Sequence, residues 1–268
     1  KRTGERKRSW WTALATSELK DVTGFILREF SYKETSKIIE VFTDKLGRIS
    51  IMARGVYRKN SGLLSLTGRF MKVNLSLYKM KGDFYGIRDG YLVESYKKSA
   101  KNFDVILYKS AMCDFLLKTI DTSQKDTVFK LLDTSFRALE EADSGYLNIF
   151  LGFLIKYISF SGLKPNFSTC GICGRIIDKA TGYFSIREAS LICEEHKKDA
   201  GDVIYLTRED LLYFMKLLYT KSDELSKLIP SSDYEKVARL IIDYCLISLD
   251  IKKFSSMDWV YKRLSERN

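Results

Sequence analysis

The sequence predicts an α+β protein of several domains, in which a five-stranded antiparallel barrel precedes a helical domain interrupted by a cysteine-rich insert. The barrel is predicted because residues 23–96 alternate apolar and polar side chains with the two-residue period of half-buried strands. The helices are predicted because, from residue 97, apolar residues recur every three or four positions. The insert is marked by three of the five cysteines and the only histidine, all within residues 170–196.

Five short strands account for the N-terminal alternation. They are expected at residues 24–30, 36–43, 47–56, 70–80 and 84–95, with a helical or turn segment at 61–68. Five strands in about 75 residues suit a small barrel, closed or partly open, because closure removes the exposed edges of a sheet.

Five helices are predicted in the remainder of the chain, at residues 102–120, 127–142, 146–160, 207–220 and 233–250, of which the fifth is expected to be the last. The third is the most apolar run. Its 15 residues include Lys156 and fall short of the roughly 20 that a membrane span needs, so we expect a buried helix. Thr207 and Asp210 have the spacing of a capping box at the start of the fourth helix.

These patterns divide the chain into five segments. Residues 1–22 are a basic leader without a long apolar stretch, and we set it apart from the functional core. The other segments are the barrel at 23–96, a helical bundle at 97–164, the cysteine-rich insert at 165–206, and helices at 207–268 that complete the helical domain. No secretory signal is visible, and five cysteines without one favour a reducing compartment, so we expect a cytoplasmic protein.

The net charge of +11 is concentrated in the N-terminal third of the chain. Residues 1–96 hold 19 lysines and arginines against 10 acidic residues, whereas residues 97–268 hold 26 against 24. Residues 45–82 contain nine basic residues and no acid. A surface of this kind attracts polyanions.

Aromatic residues are interleaved with the cations of this basic stretch. They are Tyr57, Phe70 and Tyr78. Small barrels that bind single strands combine cations for the phosphates with rings on which bases stack. The alternative is a solvated basic surface with the aromatic side chains in the core.

A metal site is predicted in the insert from the spacing of four ligands. Two residues separate Cys170 from Cys173 and Cys193 from His196, and 19 residues lie between the two pairs. Close pairs at this separation are typical of structural zinc sites, because each short turn directs two ligands at one point. Four protein ligands fill a tetrahedral zinc, so the metal is expected to stabilise the fold and not to act in catalysis.

Two other interpretations of the cluster stay open at this point. One is that these loop thiols bind no metal. The other is a redox Cys-x-x-Cys pair, although the preceding KPNFST is not the strand-to-helix context that such pairs have. Cys113 and Cys245 each stand alone in an apolar helical pattern and are expected simply to pack.

No catalytic pattern is apparent in the sequence. If His196 binds metal, no histidine remains as a general base, and neither a G-x4-G-K-[ST] loop nor a GxGxxG after a strand occurs. Asp83, Asp89 and Glu94 suit a metal-dependent nuclease, but acids beside glycines are ordinary in hairpin turns. We therefore expect a binding protein that is not an enzyme and takes no small-molecule substrate.

Several stretches occur together in an order known from one family. GFILREFSYKETSKIIEVFTDKLGRISIMARGVYRKNS is followed by GRFMKVNLSLYKMKGDFYGIRDGYLVESY, then by helices, and then by CGICG and CEEH. In this combination the chain from Thr23 to Leu264 resembles the bacterial recombination mediator RecO.

The resemblance implies an OB-fold for the barrel, a helical bundle and structural zinc in the insert. RecO-like proteins bind single- and double-stranded DNA, anneal complementary strands, and assist the loading of RecA onto DNA coated by the single-strand binding protein SSB. They act with RecR, in some bacteria with RecF, and they recognise the SSB C-terminal tail. The resemblance thus implies a DNA repair protein of the RecF pathway that is not an enzyme, does not enter membranes and associates with the nucleoid.

Carried over by position, the basic residues of the family fall on the end of the third strand and on the fourth. With Tyr57 from the aromatic pattern, the expected nucleic-acid-binding residues are Arg54, Tyr57, Arg58, Lys59, Arg69, Lys72, Lys79 and Lys81. The expected metal ligands are Cys170, Cys173, Cys193 and His196. Zinc-containing relatives often have four cysteines, so the histidine is a departure, which zinc tolerates.

Two alternative functions stay open. One is an RNA-binding OB-fold protein with a zinc insert that acts in translation or RNA processing, because stacking and phosphate contacts do not distinguish RNA from DNA. The other is a metal-dependent nuclease, which predicts strand shortening stimulated by magnesium.

Overall fold

The computed structural model of the protein describes residues 18–59, 61–120, 124–177 and 181–266. The chain divides into two compact units between Ser95 and Tyr96. Residues 1–17, most of the predicted leader, lie outside the described residues. The first unit contains the barrel, and the second contains the helices and the cysteine-rich insert.

The N-terminal unit is a closed barrel of five strands, as the sequence predicts. The strands are β1 (Glu18–Tyr32), β2 (Ser36–Thr43), β3 (Gly47–Ala53), β4 (Lys72–Lys79) and β5 (Phe84–Glu94). Their order around the barrel is β1-β2-β3-β5-β4, and all neighbours are antiparallel except β3 and β5. A 3-10 helix at Gly62–Leu66 lies between β3 and β4, where a helical or turn segment is expected. This architecture is that of an OB-fold.

Strand β1 closes the barrel, because its first half pairs with β4 and its second half with β2. It is longer than the strand predicted at residues 24–30, and its first residues extend into the predicted leader. The cause is the register with β4, in which Glu18 lies opposite Tyr78. Such pairing joins residues distant in sequence, so a local pattern does not reveal it.

The barrel core is aliphatic. Its buried residues come from inward positions of the strands and from the 3-10 helix: Val22, Ile26, Ile39, Val41, Ile49, Ile51, Leu66, Val73, Leu75 and Leu77. Because successive side chains of a strand point to opposite faces, the outward positions of the same strands can carry charges and rings.

The described part of the C-terminal unit contains six α-helices: α1 (Phe103–Thr119), α2 (Lys125–Glu141), α3 (Tyr146–Phe160), α4 (Arg208–Tyr219), α5 (Tyr234–Ser248) and α6 (Ser255–Ser265). The first five confirm the predicted helices. The prediction that the fifth is the last is wrong, because α6 follows it. Tertiary contacts stabilise this short helix, among them a hydrogen bond of 2.8 Å from Arg263 Nε to Asp104 Oδ1 on α1.

The central helix of this unit is α3, which is buried along almost its whole length. It packs against α1, α2, α4 and α5. This arrangement confirms the prediction of a buried helix for the most apolar run of the chain. Within the residues that the structure describes, no helix is long and apolar enough to cross a membrane.

Between α3 and α4 the chain forms a small four-stranded sheet that the sequence did not predict. Its strands are β6 (Asn166–Cys170), β7 (Gly182–Ser185), β8 (Ser190–Ile192) and β9 (Val203–Leu206), in the order β6-β8-β7-β9. The strands have three to five residues each, which is too short for an alternating pattern to be recognised. The sheet places its cysteines at strand ends, since Cys170 ends β6 and Cys193 follows β8.

The predicted capping box sets the start of α4. The Thr207 hydroxyl oxygen accepts from the Asp210 N–H at 3.2 Å, and the Asp210 carboxylate accepts from the Thr207 N–H at 3.0 Å. The same carboxylate is 2.7 Å from Lys236 Nζ on α5. Burial acts to raise the pKa of Asp210, but Lys236 and Thr207 outweigh it and hold the pKa below its usual value.

We expect Asp210→Asn to lower the free energy of unfolding by about 1–3 kcal/mol near pH 7, because the buried pair with Lys236 is lost while the side-chain shape is kept. The folded-state pKa is depressed, so the stabilisation is present above the unfolded-state pKa of about 3.9 and is lost as the pH falls through the folded-state pKa. Urea titrations at several pH values measure the difference between the two proteins. Asp233→Asn is the control, since that exposed carboxylate also contacts Lys236. An equal loss in both variants would contradict a special role for the buried pair.

Candidate metal centre and nucleic-acid interface

Two short turns bring the predicted metal ligands together. After Cys170, the first turn closes with the Gly174 N–H donating to the Cys170 carbonyl oxygen at 2.9 Å. Gly174 has a φ of +70°, which residues with a side chain rarely adopt. In the second turn, the His196 N–H donates to the Cys193 carbonyl oxygen at 3.1 Å. One ligand atom from each of Cys170, Cys173, Cys193 and His196 lies within 4.8 Å of the others.

The distances fit a tetrahedral zinc ion. Zinc–sulfur bonds of about 2.3 Å place two sulfurs about 3.8 Å apart in a tetrahedron, and Cys173 Sγ and Cys193 Sγ are 3.9 Å apart. The His196 Nδ1 is 3.1 Å from Cys193 Sγ, so this ring nitrogen faces the cluster. Three thiolates and an imidazole are a ligand set that zinc accepts, and the four residues together can hold a metal ion.

The pKa of the Cys170 thiol is lowered and that of the Cys193 thiol is raised, and a bound cation favours the deprotonated form of both. Burial acts to raise the pKa of Cys170, but backbone N–H groups of Cys193, Cys173 and Ile172 donate to its sulfur and bring the pKa down to about 6. Burial raises the pKa of Cys193, and the neighbouring thiols of Cys170 and Cys173 raise it further. Adjacent thiolates repel one another, whereas a divalent cation attracts all of them and binds them deprotonated.

On the barrel, outward side chains of β1, β2 and β3 form rows across one surface. The register aligns Tyr32 with Ser36, Phe30 with Ile38 and Met52, and Arg28 with Glu40 and Ser50. We call this surface, together with the turn at residues 54–59 that follows β3, the β1–β3 face. Glu40 is neutralised there, since its carboxylate accepts from Arg48 Nε at 3.1 Å and from Ser50 Oγ at 2.7 Å.

Four of the predicted nucleic-acid-binding residues lie in the turn after β3 and are exposed: Arg54, Tyr57, Arg58 and Lys59. The Tyr57 N–H donates to the Thr35 carbonyl oxygen at 3.3 Å, and the Tyr57 hydroxyl is 3.2 Å from Ser31 Oγ. The turn is therefore attached to the hairpin of β1 and β2.

A groove of about 290 Å³ opens between this turn and the β1–β2 hairpin. Lys33, Arg54 and Arg58 line it together with the Tyr32 ring, and no acidic residue does. Among the described residues, neither Arg54 nor Arg58 pairs with a carboxylate. The groove can therefore take a phosphate group without displacing an existing ion pair.

Strand β1 contributes a half-buried arginine and two exposed rings that were not among the predicted residues. Arg28, Phe30 and Tyr32 occupy alternate, outward positions, with the Arg28 guanidinium 5.9 Å from the Phe30 ring centroid. In the following turn, Lys33 Nζ is 5.5 Å from the Tyr32 centroid. Their alternation along the sequence could have identified them as residues of one face of the strand. These residues lie outside the acid-free stretch of residues 45–82, because Glu29 and Glu34 are interspersed with them. The Glu29 carboxylate is paired with Lys37.

Two of the predicted residues are poorly placed to reach a ligand. Lys72 is only 7% exposed, and its Nζ is 5.4 Å from the ring centroid of Phe25. Arg69 is half-buried, and its Nε donates to the Leu27 carbonyl oxygen at 3.0 Å. Phe70, one of the interleaved rings, is itself buried. These contacts hold the β3–β4 connection against β1 and favour a structural role.

Lys79 and Lys81 lie elsewhere on the barrel, at the end of β4 and in the turn to β5. Lys79 Nζ is 4.4 Å from the Tyr85 ring centroid, and Lys81 is exposed. The parallel register, with Ser50 opposite Phe84, places the start of β5 beside the middle of β3. The eight predicted residues thus fall into separate groups.

The C-terminal unit contains a larger groove, of about 690 Å³, that the sequence did not indicate. We call it the α2–α3 groove, because α2, the end of α3 and the segment after α4 line it. Its apolar residues include Leu131, Ala138 and Phe160, and its charged residues are Lys130, Arg137, Lys156, Lys221, Glu141 and Asp223. Burial lowers the pKa of Lys156 to about 8, against the opposing effect of Asp223. Residues from three distant segments form this groove, which explains why no local pattern shows it.

Family models match both units of the chain. Residues 19–96 match Recombination protein O N terminal, and residues 100–257 match Recombination protein O C terminal. The two matches cover the barrel and nearly all of the helical unit, including the insert.

Proteins named DNA repair protein RecO are similar to the chain over most of their length. The one from Clostridium novyi is 28% identical over 246 residues, which are 91% of this chain and 94% of that protein. The one from Clostridium acetobutylicum is 26% identical over 196 residues, 72% of this chain and 78% of that protein. The one from Bacillus cereus is 26% identical over 242 residues, 87% of this chain and 95% of that protein. With both of its units matched by the models of one family, this chain belongs to the RecO family.

Proposed function

We propose that this protein is a recombination mediator that binds single- and double-stranded DNA, anneals complementary strands, and assists RecA loading onto SSB-coated DNA together with RecR. The observation that carries the proposal is the β1–β3 face, where a groove is lined by three cations, the exposed Tyr32 and no acid. RecF, where a bacterium has it, and the nucleoid-associated location follow from the family resemblance and belong to the same proposal.

The cations of the groove supply affinity that does not depend on base sequence. Lys33, Arg54 and Arg58 can each contact a phosphate and release condensed counterions, so that binding weakens as salt rises. Single strands and duplexes both offer phosphates, and this part of the interaction serves both.

The exposed rings supply a preference for single strands. Phe30, Tyr32 and Tyr57 are between 37% and 47% exposed. Phe30 and Tyr32 stand at outward positions of β1, and Tyr57 stands in the adjoining turn after β3. Unstacked bases of a single strand can lie against these rings, whereas the bases of a duplex are stacked on one another and cannot. We therefore expect tighter binding of single-stranded DNA than of a duplex with the same number of phosphates.

Annealing follows from these two contributions. Phosphate repulsion opposes the approach of complementary strands, and a surface that neutralises phosphates lowers that barrier. Bases that stack on the rings keep their pairing edges accessible to a second strand. No covalent bond is made or broken and no nucleotide is consumed, so we propose that the protein is not an enzyme.

We infer that the α2–α3 groove receives the C-terminal tail of SSB. A chain terminus presents a carboxylate, and the groove offers four cations against two acids. Its apolar residues can take side chains of the tail, as in other peptide-binding clefts. Docking here brings the mediator to DNA that SSB already covers.

We propose that the metal is zinc in a structural role. Cys170, Cys173, Cys193 and His196 supply four ligands, which leaves no position for a water or substrate. When bound, zinc connects the end of β6 with the turn after β8, so it cross-links the insert.

Arg54→Ala/Arg58→Ala tests the charge contribution. At about 0.1 M salt each lost phosphate contact removes about 0.7 log unit of affinity for a single strand, so we expect about 25-fold weaker binding and a log–log salt slope smaller by about 1.4. Fluorescence anisotropy with an oligothymidylate over a salt series measures both. The control, Arg187→Ala/Lys198→Ala, removes two exposed cations from the C-terminal unit. An equal loss in this control would contradict a specific site.

Phe30→Ala/Tyr32→Ala tests the stacking contribution. We expect binding to weaken about fivefold or more per ring while the salt slope stays unchanged, because a lost stack removes no phosphate contact. Annealing of SSB-coated complementary oligonucleotides, without nucleotide or magnesium, should slow in parallel. An RNA competitor of the same sequence that binds far more tightly than the DNA would favour the RNA-binding alternative.

Metal analysis of the purified protein tests the zinc proposal. We expect one zinc per chain, lost in Cys173→Ser and His196→Ala but retained in Cys113→Ala and Cys245→Ala, whose thiols are buried away from the cluster. His196→Cys should keep the metal, because four thiolates are also a zinc ligand set. Zinc that persists in Cys173→Ser would contradict the four-ligand site.

Lys156→Met and Lys130→Glu test the α2–α3 groove with a peptide of the SSB C-terminus. Each should weaken binding at least about tenfold, whereas Lys216→Glu, an exposed charge on α4 outside the groove, should not.

With a pKa of about 8, Lys156 is charged below that pH and neutral above it. We therefore expect peptide affinity to fall between about pH 7 and pH 9, and Lys156→Met to remove this dependence. Unchanged binding in both variants would exclude the groove.

A further inference from the structure

A second group of rings and cations lies on β4 and β5, apart from the β1–β3 face, and includes the half-buried Tyr78 and the exposed Tyr91. Tyr78 on β4 lies opposite Gly86 on β5. A Cβ at Gly86 would be only 2.2 Å from Cζ of the Tyr78 ring, so the ring lies over the bare backbone of β5. The glycine thus permits an aromatic ring to cover the outside of the sheet.

Arg88 and Tyr91 extend this surface along β5. The Arg88 Cζ is 5.5 Å from the centroid of the Tyr78 ring. Tyr91 is 61% exposed and lies opposite Asn74, four residues before Tyr78 on β4, so the two tyrosines are about 13 Å apart along the strand. We call the surface formed by Tyr78, Arg88 and Tyr91 the β4–β5 face.

The charge of the β4–β5 face differs from that of the β1–β3 face. Lys79, Lys81 and Arg88 stand beside two exposed acids, Asp83 and Asp89, which leaves a net charge near +1. The groove on the β1–β3 face has three cations and no acid. A weakly charged surface with exposed rings suits a ligand that offers flat bases as well as phosphates.

We propose that the β4–β5 face is a second binding surface for single-stranded DNA, weaker and less dependent on salt than the β1–β3 face, so that one barrel engages two strands. The proposal rests on the proposed function. In the strand order β1-β2-β3-β5-β4, the pair β4–β5 lies across the barrel from β2. The two faces therefore point in different directions, and two strands can bind without overlapping.

A weaker second surface has a clear use in annealing. The β1–β3 face holds one strand through phosphate contacts and stacking, whereas the β4–β5 face holds another mainly through stacking on Tyr78 and Tyr91. Because that strand dissociates more readily, it can transfer to the strand on the stronger face when their sequences match. Two strands on one barrel also have a high local concentration with respect to each other.

Titration of the full-length protein with a short oligothymidylate, at low and high salt, tests the proposal. We expect two classes of sites in the unchanged protein, a tight class that depends steeply on salt and a weak class that depends little. Arg88→Ala/Tyr91→Ala should weaken only the weak class, at least about fivefold, and should slow annealing. Tyr91→Phe, which keeps the ring, and Tyr205→Ala, which removes a similarly exposed ring from the C-terminal unit, should behave as the unchanged protein.

The outcomes separate this inference from the proposed function. A single class of sites in the unchanged protein, or a weak class that persists in Arg88→Ala/Tyr91→Ala, overturns the second surface. A tight class that persists in Arg54→Ala/Arg58→Ala overturns the proposed function instead, whatever happens to the weak class. Equal melting temperature and metal content in all variants establish that the changes are local.

Discussion

The pairing of β1 with both β2 and β4 is the constraint on which the barrel surface depends. Closure leaves the sheet without a free edge, and each side chain of a strand points either into the barrel or out of it. A slip of one residue would turn Arg28, Phe30 and Tyr32 inward and would expose Glu29 in their place. The irregularity between Ile26 and Arg28 sets the register here, because Leu27 is buried as Ile26 is and the outward series begins with Arg28.

The candidate metal cluster can add a cross-link to the insert. The buried residues around it are only Cys170, Ile192 and Ala200. Elsewhere in the sheet, Phe167 and Phe184 pack against Phe214 of α4. Cys170 and Cys173 stand at the end of β6 and in the turn after it, and Cys193 and His196 follow β8, so a bound ion joins the ends of two adjacent strands. The helices packed around α3 have a large apolar core of their own and do not depend on this cross-link in the same way.

In the proposed function, different side chains of the barrel attract nucleic acid and distinguish single strands from duplexes. In that proposal, cations in the groove of the β1–β3 face attract any polyanion, and Phe30, Tyr32 and Tyr57 near them contact bases that are not stacked. The C-terminal unit contributes a different chemistry, an apolar groove with charged residues around it, which suits a peptide better than a nucleic acid. The proposed mediator, which acts on DNA covered by another protein, uses both kinds of recognition, one from each unit of this chain.

By itself, the sequence determined the type and order of the larger elements and the four residues of the candidate metal cluster. These depend on alternation, helical periodicity and two close pairs of ligands, all of which are local properties. Only the tertiary structure decided that the first residues of β1 pair with β4, that the insert contains strands, and that α6 exists. Each of these features is stabilised by partners distant in sequence. It also decided which charged side chains share a surface: Arg54 and Arg58 border a groove with Lys33, whereas Lys72, equally basic in the sequence, lies buried over Phe25. The physical reason is that exposure and proximity follow from strand register and packing, which local composition does not contain.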